Sequence, residues 1–132
     1  MRFLREFQPH MVGIGPFIPH HDTPFAAYPQ GILEQTLTMV ALIRLTLPHA
    51  LIPATTALGT IHPQGREMGL QAGANVVMPN LSPVSVRGQY SLYDNKICTG
   101  EEAAECIECM KRRVAAAGYQ VVVSRGDSVQ MR

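Results

Sequence analysis

The sequence predicts an α/β fold of about three βα units, followed by a C-terminal helical segment. Short apolar runs end in Gly, Pro or Thr, and residues with helical periodicity come after them. Three parallel strands alone would leave two unpaired sheet edges, whereas a complete (β/α)8 barrel needs about 250 residues. The prediction is therefore the C-terminal portion of a (β/α)8 TIM barrel, with a small open α/β domain as the alternative.

The first βα unit is predicted over residues 11–47. Met11–Gly15 is a short apolar run that favours a strand, and several prolines keep the loop after it from becoming helical. Gly31–Leu47 carries two neighbouring apolar stripes at helical spacing. We expect this helix to be covered on more than one side, and Pro48 to end it.

The second and third strands are predicted at Leu51–Thr56 and Ala74–Met78, with a short helix from about Pro63 to Ala72 between them. A final helix is predicted after the capping box Thr99-x-x-Glu102. Its apolar face consists of Ile107, Met110, Val114 and Ala117. Beyond Gly118, Gln120–Ser124 favours a last edge strand.

The composition excludes several classes of function. Of the 132 residues, 46% are hydrophobic and 16% are charged, which is typical of a folded domain. A net charge of +1 without basic or acidic runs gives no attraction to nucleic acid or to an anionic membrane. The longest uncharged stretch, Leu45–Gly65, contains three prolines and does not predict a membrane span. No signal-peptide core follows Met1, so we expect a cytoplasmic protein.

Three cysteines have the spacing most typical of chemistry, C-x7-C-x2-C. Cys106 and Cys109 lie at i and i+3 on the final predicted helix, and Cys98 lies just before it, so three thiolates can converge on zinc or on an iron–sulfur cluster. In a cytoplasmic chain they do not indicate a disulfide framework. Buried, reduced cysteines without a metal are the alternative.

Two further motifs carry less weight. His20-His21-Asp22 lies in the proline-rich loop, but adjacent side chains in an extended loop point apart, so we do not expect the two histidines to share a metal ion. Gly13-Ile14-Gly15 has neither the third glycine nor the helix start of a dinucleotide-binding fingerprint.

Position along the chain points to a ligand-binding end, because functional groups of barrels lie where strands end. Met11–Ile18 falls there, as do Thr55 and Thr56, whose hydroxyls would bind a polar ligand or satisfy their own turn. Tyr90 and Tyr93 are spaced i and i+3, and they would close such a pocket or belong to the core.

Four stretches of the chain follow one pattern, MVGIGPFIPHHDTPFA, IPATTALGTIHPQGRE, GANVVMPNLSP and YSLYDNKIC with CIEC. Together they resemble the HydE family of FeFe-hydrogenase maturation enzymes, which are radical S-adenosylmethionine proteins related to biotin synthase. The resemblance implies that residues 1–97 form the last βα units of a radical SAM barrel, with the region shared by biotin and thiamin synthesis enzymes. Residues 98–132 would form the C-terminal helix and tail with the cysteine cluster.

The resemblance also implies an activity and its cofactors. Members of the family bind S-adenosylmethionine on a 4Fe-4S cluster, cleave it to a 5′-deoxyadenosyl radical and direct that radical at an iron-bound precursor of the hydrogenase H-cluster. By position, Met11, Pro16 and Ile18 match residues that line the adenosylmethionine side of the cavity. Cofactor-binding residues are therefore expected in the first predicted strand and its loop.

Substrate and metal residues are carried over in the same way. Thr55 and Thr56 match the polar pair that binds anions or substrate, and Tyr90 and Tyr93 match aromatic residues near the mouth of the cavity. The three cysteines, Cys98, Cys106 and Cys109, match the ligands of an accessory iron–sulfur cluster that only some members carry.

The sequence departs from the family in one large respect, because no C-x3-C-x2-C motif is present to hold the radical-generating cluster. We therefore predict no catalytic residue and expect a fragment, from a truncated gene model or a split gene, that is not active alone. Its expected partners are the missing N-terminal half of the barrel, the iron-bound H-cluster precursor and other hydrogenase maturation proteins. The alternatives are a biotin synthase-like radical SAM fragment, a non-catalytic iron–sulfur or zinc module, and an inert fragment.

A smaller departure lies in the proline-rich loop. The family loop usually reads Pro-His-Pro-Asp-Thr-Pro, whereas this chain has His20-His21-Asp22-Thr23-Pro24. The second histidine therefore stands where the family has proline.

Overall fold

The computed structural model describes residues 1–98 and 103–128, and in this part of the chain the regular structure is helical. The described residues form six α-helices in chain order, together with one short 3-10 helix at Gly88–Tyr90. The helices are α1 (Arg2–Phe7), α2 (Leu33–Thr46), α3 (Thr56–Ile61), α4 (Gly65–Gln71), α5 (Val84–Arg87) and α6 (Ala103–Ala116). None of these helices combines the length and the apolarity that crossing a membrane would require.

The predicted portion of a (β/α)8 barrel is wrong, because no β-strand forms among the described residues. The three apolar runs are joined only by two isolated parallel bridges, Met11 with Leu51 and Pro53 with Val76. Proline has no N–H to continue a ladder, and the side-chain oxygen of Asn75 takes the N–H of Ile52 over 2.8 Å. The runs are therefore extended and adjacent, but their pairing is interrupted before a strand is complete.

The predicted edge strand at Gln120–Ser124 is also absent. Its backbone has no ladder partner among the described residues, and its valines face solvent, with Val122 80% and Val123 92% exposed. A β-rich sequence needs a neighbouring strand to form a sheet, and none lies beside it in the described structure.

Helix α2 begins after Ile32 and ends at Thr46, close to the predicted bounds. The side chain of Arg44 holds its C-terminus, since it donates to the carbonyl oxygens of Pro48 at 2.8 Å, Ala50 at 2.9 Å and Gly73 at 2.8 Å. The bonds to Pro48 and Ala50 satisfy carbonyls in the turn that follows α2, and the bond to Gly73 joins α2 to the turn that follows α4. Burial of the Arg44 guanidinium lowers its pKa below the ordinary value.

One face of α2 is buried, and the opposite face is open. Val40 and Ile43 are at most 2% exposed, whereas Leu45 is 79% exposed. The expectation that this helix would be covered on more than one side is therefore not met among the described residues. The hydrophobic core instead lies between α2, α4, α6 and the extended segments, and it comprises Val40, Ile43, Leu47, Ala50, Ile52, Ala54, Leu70, Ala74, Val114 and Ala117.

Helices α3 and α4 form a tight pair that a glycine permits. A Cβ atom at Gly65 would collide with the carbonyl oxygen of Leu58, so only glycine fits at the start of α4. Leu58 itself is fully buried. This contact fixes the direction of the first turn of α4 and sends the next side chain, Arg66, into the interior, where it is 3% exposed.

Helix α6 buries most of its predicted apolar face. Met110, Val114 and Ala117 are 3 to 8% exposed, but Ile107 is 38% exposed. The chain leaves the helix at Gly118, whose φ of 86° is a left-handed conformation that glycine adopts without strain. The predicted capping box Thr99-x-x-Glu102 lies outside the described residues.

Candidate functional site

A cavity of about 220 Å³ opens where the third extended segment ends, between α3, α4, α5 and the segment before Cys98. Three cationic side chains line it, those of Arg66, Arg87 and Lys96. No Asp or Glu is among its described lining residues. We refer to this space as the basic cavity, and its remaining polar lining comes from Thr56, Asn80, Ser82, Tyr90 and Cys98.

Arg66 lines the basic cavity and is held there by hydrogen bonds to three side chains. Its guanidinium donates to Thr56 Oγ1 at 3.0 Å, to Cys98 Sγ at 3.7 Å and to Met110 Sδ at 3.6 Å. In the described part of the chain, no ion pair joins it to a carboxylate. A buried charge that has no anion among its described neighbours is costly, so an anionic ligand would complete the described part of this site.

Arg87 and Lys96 are held in place by backbone carbonyls. Arg87 is 2% exposed and donates from Nε to the Ser82 oxygen at 2.8 Å and from its terminal nitrogen to the Asn80 oxygen at 3.1 Å. Lys96 Nζ donates to the Tyr90 oxygen at 2.7 Å. Because the Tyr90 carbonyl that positions Lys96 is uncharged, the positive charge of Lys96 can act on an anion in the cavity.

The predicted threonine pair separates into a structural and a cavity-lining residue. Thr55 is the N-cap of α3, and its side chain accepts a bond from the Leu58 N–H at 3.5 Å. Thr56 lines the basic cavity. Thr55 therefore satisfies its own turn, as one alternative from the sequence expected, whereas ligand binding by Thr56 stays a prediction.

The two predicted tyrosines do not share one helical face. Tyr90 ends the 3-10 helix, is 60% exposed and lines the basic cavity. Tyr93 is half-buried in the segment beyond. Burial raises the pKa of Tyr93, against the opposing effects of a hydrogen bond with Thr60 and of the Arg66 charge.

The residues predicted to contact adenosylmethionine lie apart from the basic cavity. Met11 is 47% exposed at the first β-bridge, and Pro16 and Ile18 are half-buried in the loop that follows. The loop does approach α3, because a Cβ at Gly15 would lie 2.9 Å from Thr55 Oγ1. The loop therefore lies close to Thr55 at the N-terminus of α3. Thr55 is not among the residues that line the basic cavity.

The three cysteines form no disulfide, and of the three only Cys98 is among the described residues that line the basic cavity. Cys98 lines it, and Cys106 is 1% exposed and accepts a bond from the Asn80 N–H at 3.3 Å. Cys109 is half-buried on α6 and hydrogen-bonded to Arg113. Their sulfur atoms are not all within 4.8 Å of one another, so the three thiols are not arranged here around a single ion.

Sequence reasoning missed the cations that define the cavity. Arg66, Arg87 and Lys96 stand singly in the sequence and form no motif, so nothing marks them as a group. One signal was available, since Arg66 follows Gly65 within a stretch that is otherwise poor in charge. Whether such an arginine faces solvent or the interior depends on how α3 packs on α4. The periodicity of apolar residues in the sequence does not predict that packing.

Comparison with known proteins finds the chain similar to part of a maturase and to part of two biosynthetic enzymes. The FeFe-hydrogenase maturase subunit HydE of Thermotoga maritima is 53% identical over 116 residues, which are 88% of this chain and 33% of that protein. The 3-methylornithine synthases of Methanosarcina barkeri and Methanosarcina acetivorans are 30% and 29% identical over 120 residues, or 91% of this chain and 33% of each enzyme. No family model matches the chain.

These comparisons confirm the resemblance to the HydE family that the four sequence stretches predicted. The chain spans about a third of the length of the curated relatives it matches.

Proposed function

This chain is a relative of the FeFe-hydrogenase maturase subunit HydE, and on that premise we propose that it forms the substrate-binding part of a radical S-adenosylmethionine maturase. The basic cavity is the observation that carries the proposal, because it presents Arg66, Arg87 and Lys96 with no carboxylate among its described lining residues. Its ligand would be an anionic group of the substrate. In the family reaction this substrate is an iron-bound precursor of the hydrogenase H-cluster.

The residues in and beside the cavity would have different roles in binding the anion. Arg66 is buried and held by side-chain hydrogen bonds, so it would neutralise the anion without reorganising. The hydroxyl of Thr56 and the more exposed ring of Tyr90, which both line the cavity, would set the orientation of the anion. The role proposed for Thr55 is indirect, since it caps α3 and thereby places Thr56.

The family cofactors fit this chain only in part. The three cysteines of the sequence do not form a C-x3-C-x2-C motif, so they do not match the set that holds the radical-generating 4Fe-4S cluster. The remaining part of the maturase, in one chain or in a complex, would supply that cluster and the 5′-deoxyadenosyl radical. Met11, Pro16 and Ile18 are the residues we propose on the adenosylmethionine side, supported by the approach of their segment to Thr55.

For an accessory iron–sulfur cluster the donor chemistry does fit. Cys98, Cys106 and Cys109 would hold it, and each sulfur already faces a donor, from Arg66, the Asn80 N–H and Arg113 respectively. Hydrogen bonds to sulfur are among the features that set the potential of such clusters. When bound, the cluster would supply one-electron chemistry beside the basic cavity. On this proposal residues 1–97 serve the substrate and residues 98–132 serve the cluster.

The proposed setting is the cytoplasm, with other hydrogenase maturation proteins as partners. Two observations support it, the relatedness to a hydrogenase maturase subunit and the three cysteines, none of which forms a disulfide.

The proposal is tested with a chimera in which this chain replaces the matching third of the Thermotoga maritima maturase. We expect the anaerobically reconstituted chimera to form 5′-deoxyadenosine and to support activation of an FeFe-hydrogenase. Arg66→Met in the chimera should abolish hydrogenase activation, whereas Arg112→Met, on the exposed side of α6, should not. A chimera that holds its cluster and cleaves adenosylmethionine, yet activates no hydrogenase, would contradict the proposed substrate.

The same chimera addresses the relatedness to the 3-methylornithine synthases, which is lower but covers 91% of the chain. Assaying the reaction mixture for 3-methylornithine separates the two activities. Formation of that amino acid in place of hydrogenase activation would assign the basic cavity to the carboxylate of an amino acid.

The cluster is tested on the 132-residue chain by itself. After anaerobic reconstitution, iron and sulfide per chain should fall in Cys106→Ala/Cys109→Ala relative to the wild type. Soluble wild-type protein that takes up no iron and sulfide would refute the accessory cluster and leave the substrate proposal untouched.

A further inference from the structure

Two adjacent histidines and a distant aspartate meet at the surface, away from the basic cavity. The ligand atoms of His20, His21 and Asp94 all lie within 4.8 Å of one another. The two imidazole rings stack, with centroids 4.5 Å apart and planes inclined by 18°. The sequence predicted that adjacent side chains would point apart, and this expectation is wrong because a turn at residues 21–22 replaces the extended loop.

Backbone hydrogen bonds hold this cluster together independently of its side chains. The N–H of Asp94 donates to the Pro19 oxygen at 3.0 Å, which ties the segment before Cys98 to the loop. The N–H of Thr23 donates to the His20 oxygen at 3.1 Å and closes the turn. The three candidate ligands are therefore brought together by the fold, and a ligand would not have to assemble them.

The hydrogen bond between His21 and Asp94 holds a proton at a position that a metal cation could occupy. His21 Nδ1 lies 2.7 Å from Asp94 Oδ1, and its Nε2 lies 3.3 Å from Asp22 Oδ2. A divalent cation between imidazole nitrogen and carboxylate oxygen replaces such a shared proton, at the cost of a small widening of the gap. His21 is 69% and Asp94 is 37% exposed, so an ion can reach both from solvent.

Two imidazole nitrogens and one carboxylate oxygen select a particular class of ion. Imidazole suits borderline divalent cations such as zinc, whereas magnesium and calcium prefer oxygen ligands alone. Three protein ligands satisfy all but one position of a tetrahedral zinc ion and leave that position to water or to an outside ligand. The adjacent Asp22 can orient His21 from its other nitrogen, as carboxylates do for zinc-bound histidines.

We infer that His20, His21 and Asp94 form a binding site for a zinc-like divalent cation that clamps the proline-rich loop to the segment before Cys98. The site is separate from the three cysteines and does not rest on the proposed maturase function. Its effect would be to fix the loop that follows the first extended segment.

The test is a zinc titration of the reduced 132-residue chain against a chromophoric chelator. His21→Gln and Asp94→Asn should each bind one zinc ion fewer per chain than the wild type. His49→Gln is the matched control, because His49 is an exposed histidine of a different turn, and it should bind as many ions as the wild type. Equal zinc stoichiometry in the wild type, His21→Gln and Asp94→Asn would overturn the inference.

A second measurement needs no variant and excludes misfolding as a cause. Cobalt added to the wild type should broaden the ring-proton resonances of His20 and His21 before those of His49. It should do so without the charge-transfer absorption that cobalt shows with thiolates. Broadening that spares His20 and His21, or cobalt bound only with thiolate absorption, would place the ion elsewhere and refute the site.

Discussion

The guanidinium of Arg66 donates to the hydroxyl of Thr56 over 3.0 Å. Thr56 begins α3, whereas Arg66 lies in the first turn of α4. The bond joins the two helices at the wall of the basic cavity and points the buried charge toward the space between them. Because both groups are held by the helix pair, the cavity carries its charge before any ligand arrives.

Replacing Arg66 with methionine should remove the stabilisation of the protein by phosphate without unfolding the protein. Methionine fills a similar volume, and losing a buried charge that has no carboxylate partner among the described residues need not lower stability. Inorganic phosphate should raise the thermal unfolding midpoint of the wild type relative to chloride of equal ionic strength, since ligands stabilise the state they bind. Arg112→Met should keep this rise and Arg66→Met should lose it. An equal rise in both variants would show that phosphate binds elsewhere.

Adding one methyl group at Gly65 should destabilise the fold. The new Cβ would meet the carbonyl oxygen of Leu58, which is backbone and cannot turn aside. We expect Gly65→Ala to lower the free energy of unfolding by about 1 to 3 kcal/mol, as overpacking does. Gly88→Ala is the control, because its Cβ would meet nothing within 4 Å and its φ is −61°. Urea titrations measure both, and equal stability of the two variants would contradict the packing of α3 on α4.

The ion pair between Glu67 and Arg113 should contribute measurably to stability. Its atoms are 2.8 Å apart, and its side chains are 14% and 32% exposed. Glu67→Gln should cost about 1 to 2 kcal/mol in urea unfolding, because a charged hydrogen bond between partly buried groups is lost. Glu108→Gln breaks the exposed pair with Lys111 and should cost no more than about 0.5 kcal/mol. A larger loss in Glu108→Gln than in Glu67→Gln would reverse this ranking.

The contact between His21 and Asp94 should depend on pH in the metal-free protein. The hydrogen bond with Asp94, assisted by the charge of Asp22, raises the pKa of His21 above 6.5, and the bond with His21 lowers the pKa of Asp94 below 3.8. The contribution of His21 to the stability of the fold is therefore lost as the pH rises through the raised pKa of His21. The contribution of Asp94 is lost as the pH falls through the lowered pKa of Asp94. Between these limits the contact is strongest.

An NMR titration of the His21 ring protons in chelator-treated protein checks this dependence. The midpoint should lie above 6.5 in the wild type and fall in Asp94→Asn. A wild-type midpoint equal to that of Asp94→Asn would mean that the contact does not form in solution.

Helices were predictable where local patterns define them. The bounds of α2 and the buried residues Met110 and Val114 of α6 follow from apolar spacing, from Pro48 and from Gly118. Strands were not predictable in the same way, because a strand exists only when a neighbour accepts its hydrogen bonds. Pro53 and the Asn75 side chain interrupt that exchange, although the apolar runs themselves are adjacent as expected.

The sequence by itself determined the relatedness of this protein, the spacing of its three cysteines and the positions of the three longest described helices, α2, α4 and α6, since each depends on residues near one another in the chain. Only the tertiary structure decided which charges are buried and which side chains meet. Arg66 reaches the basic cavity because Gly65 lets α4 pack on Leu58, and His21 reaches Asp94 across 73 positions of sequence. Contacts of this kind depend on the packing of the whole chain, because burial and charge compensation are properties of the surroundings and not of the residue.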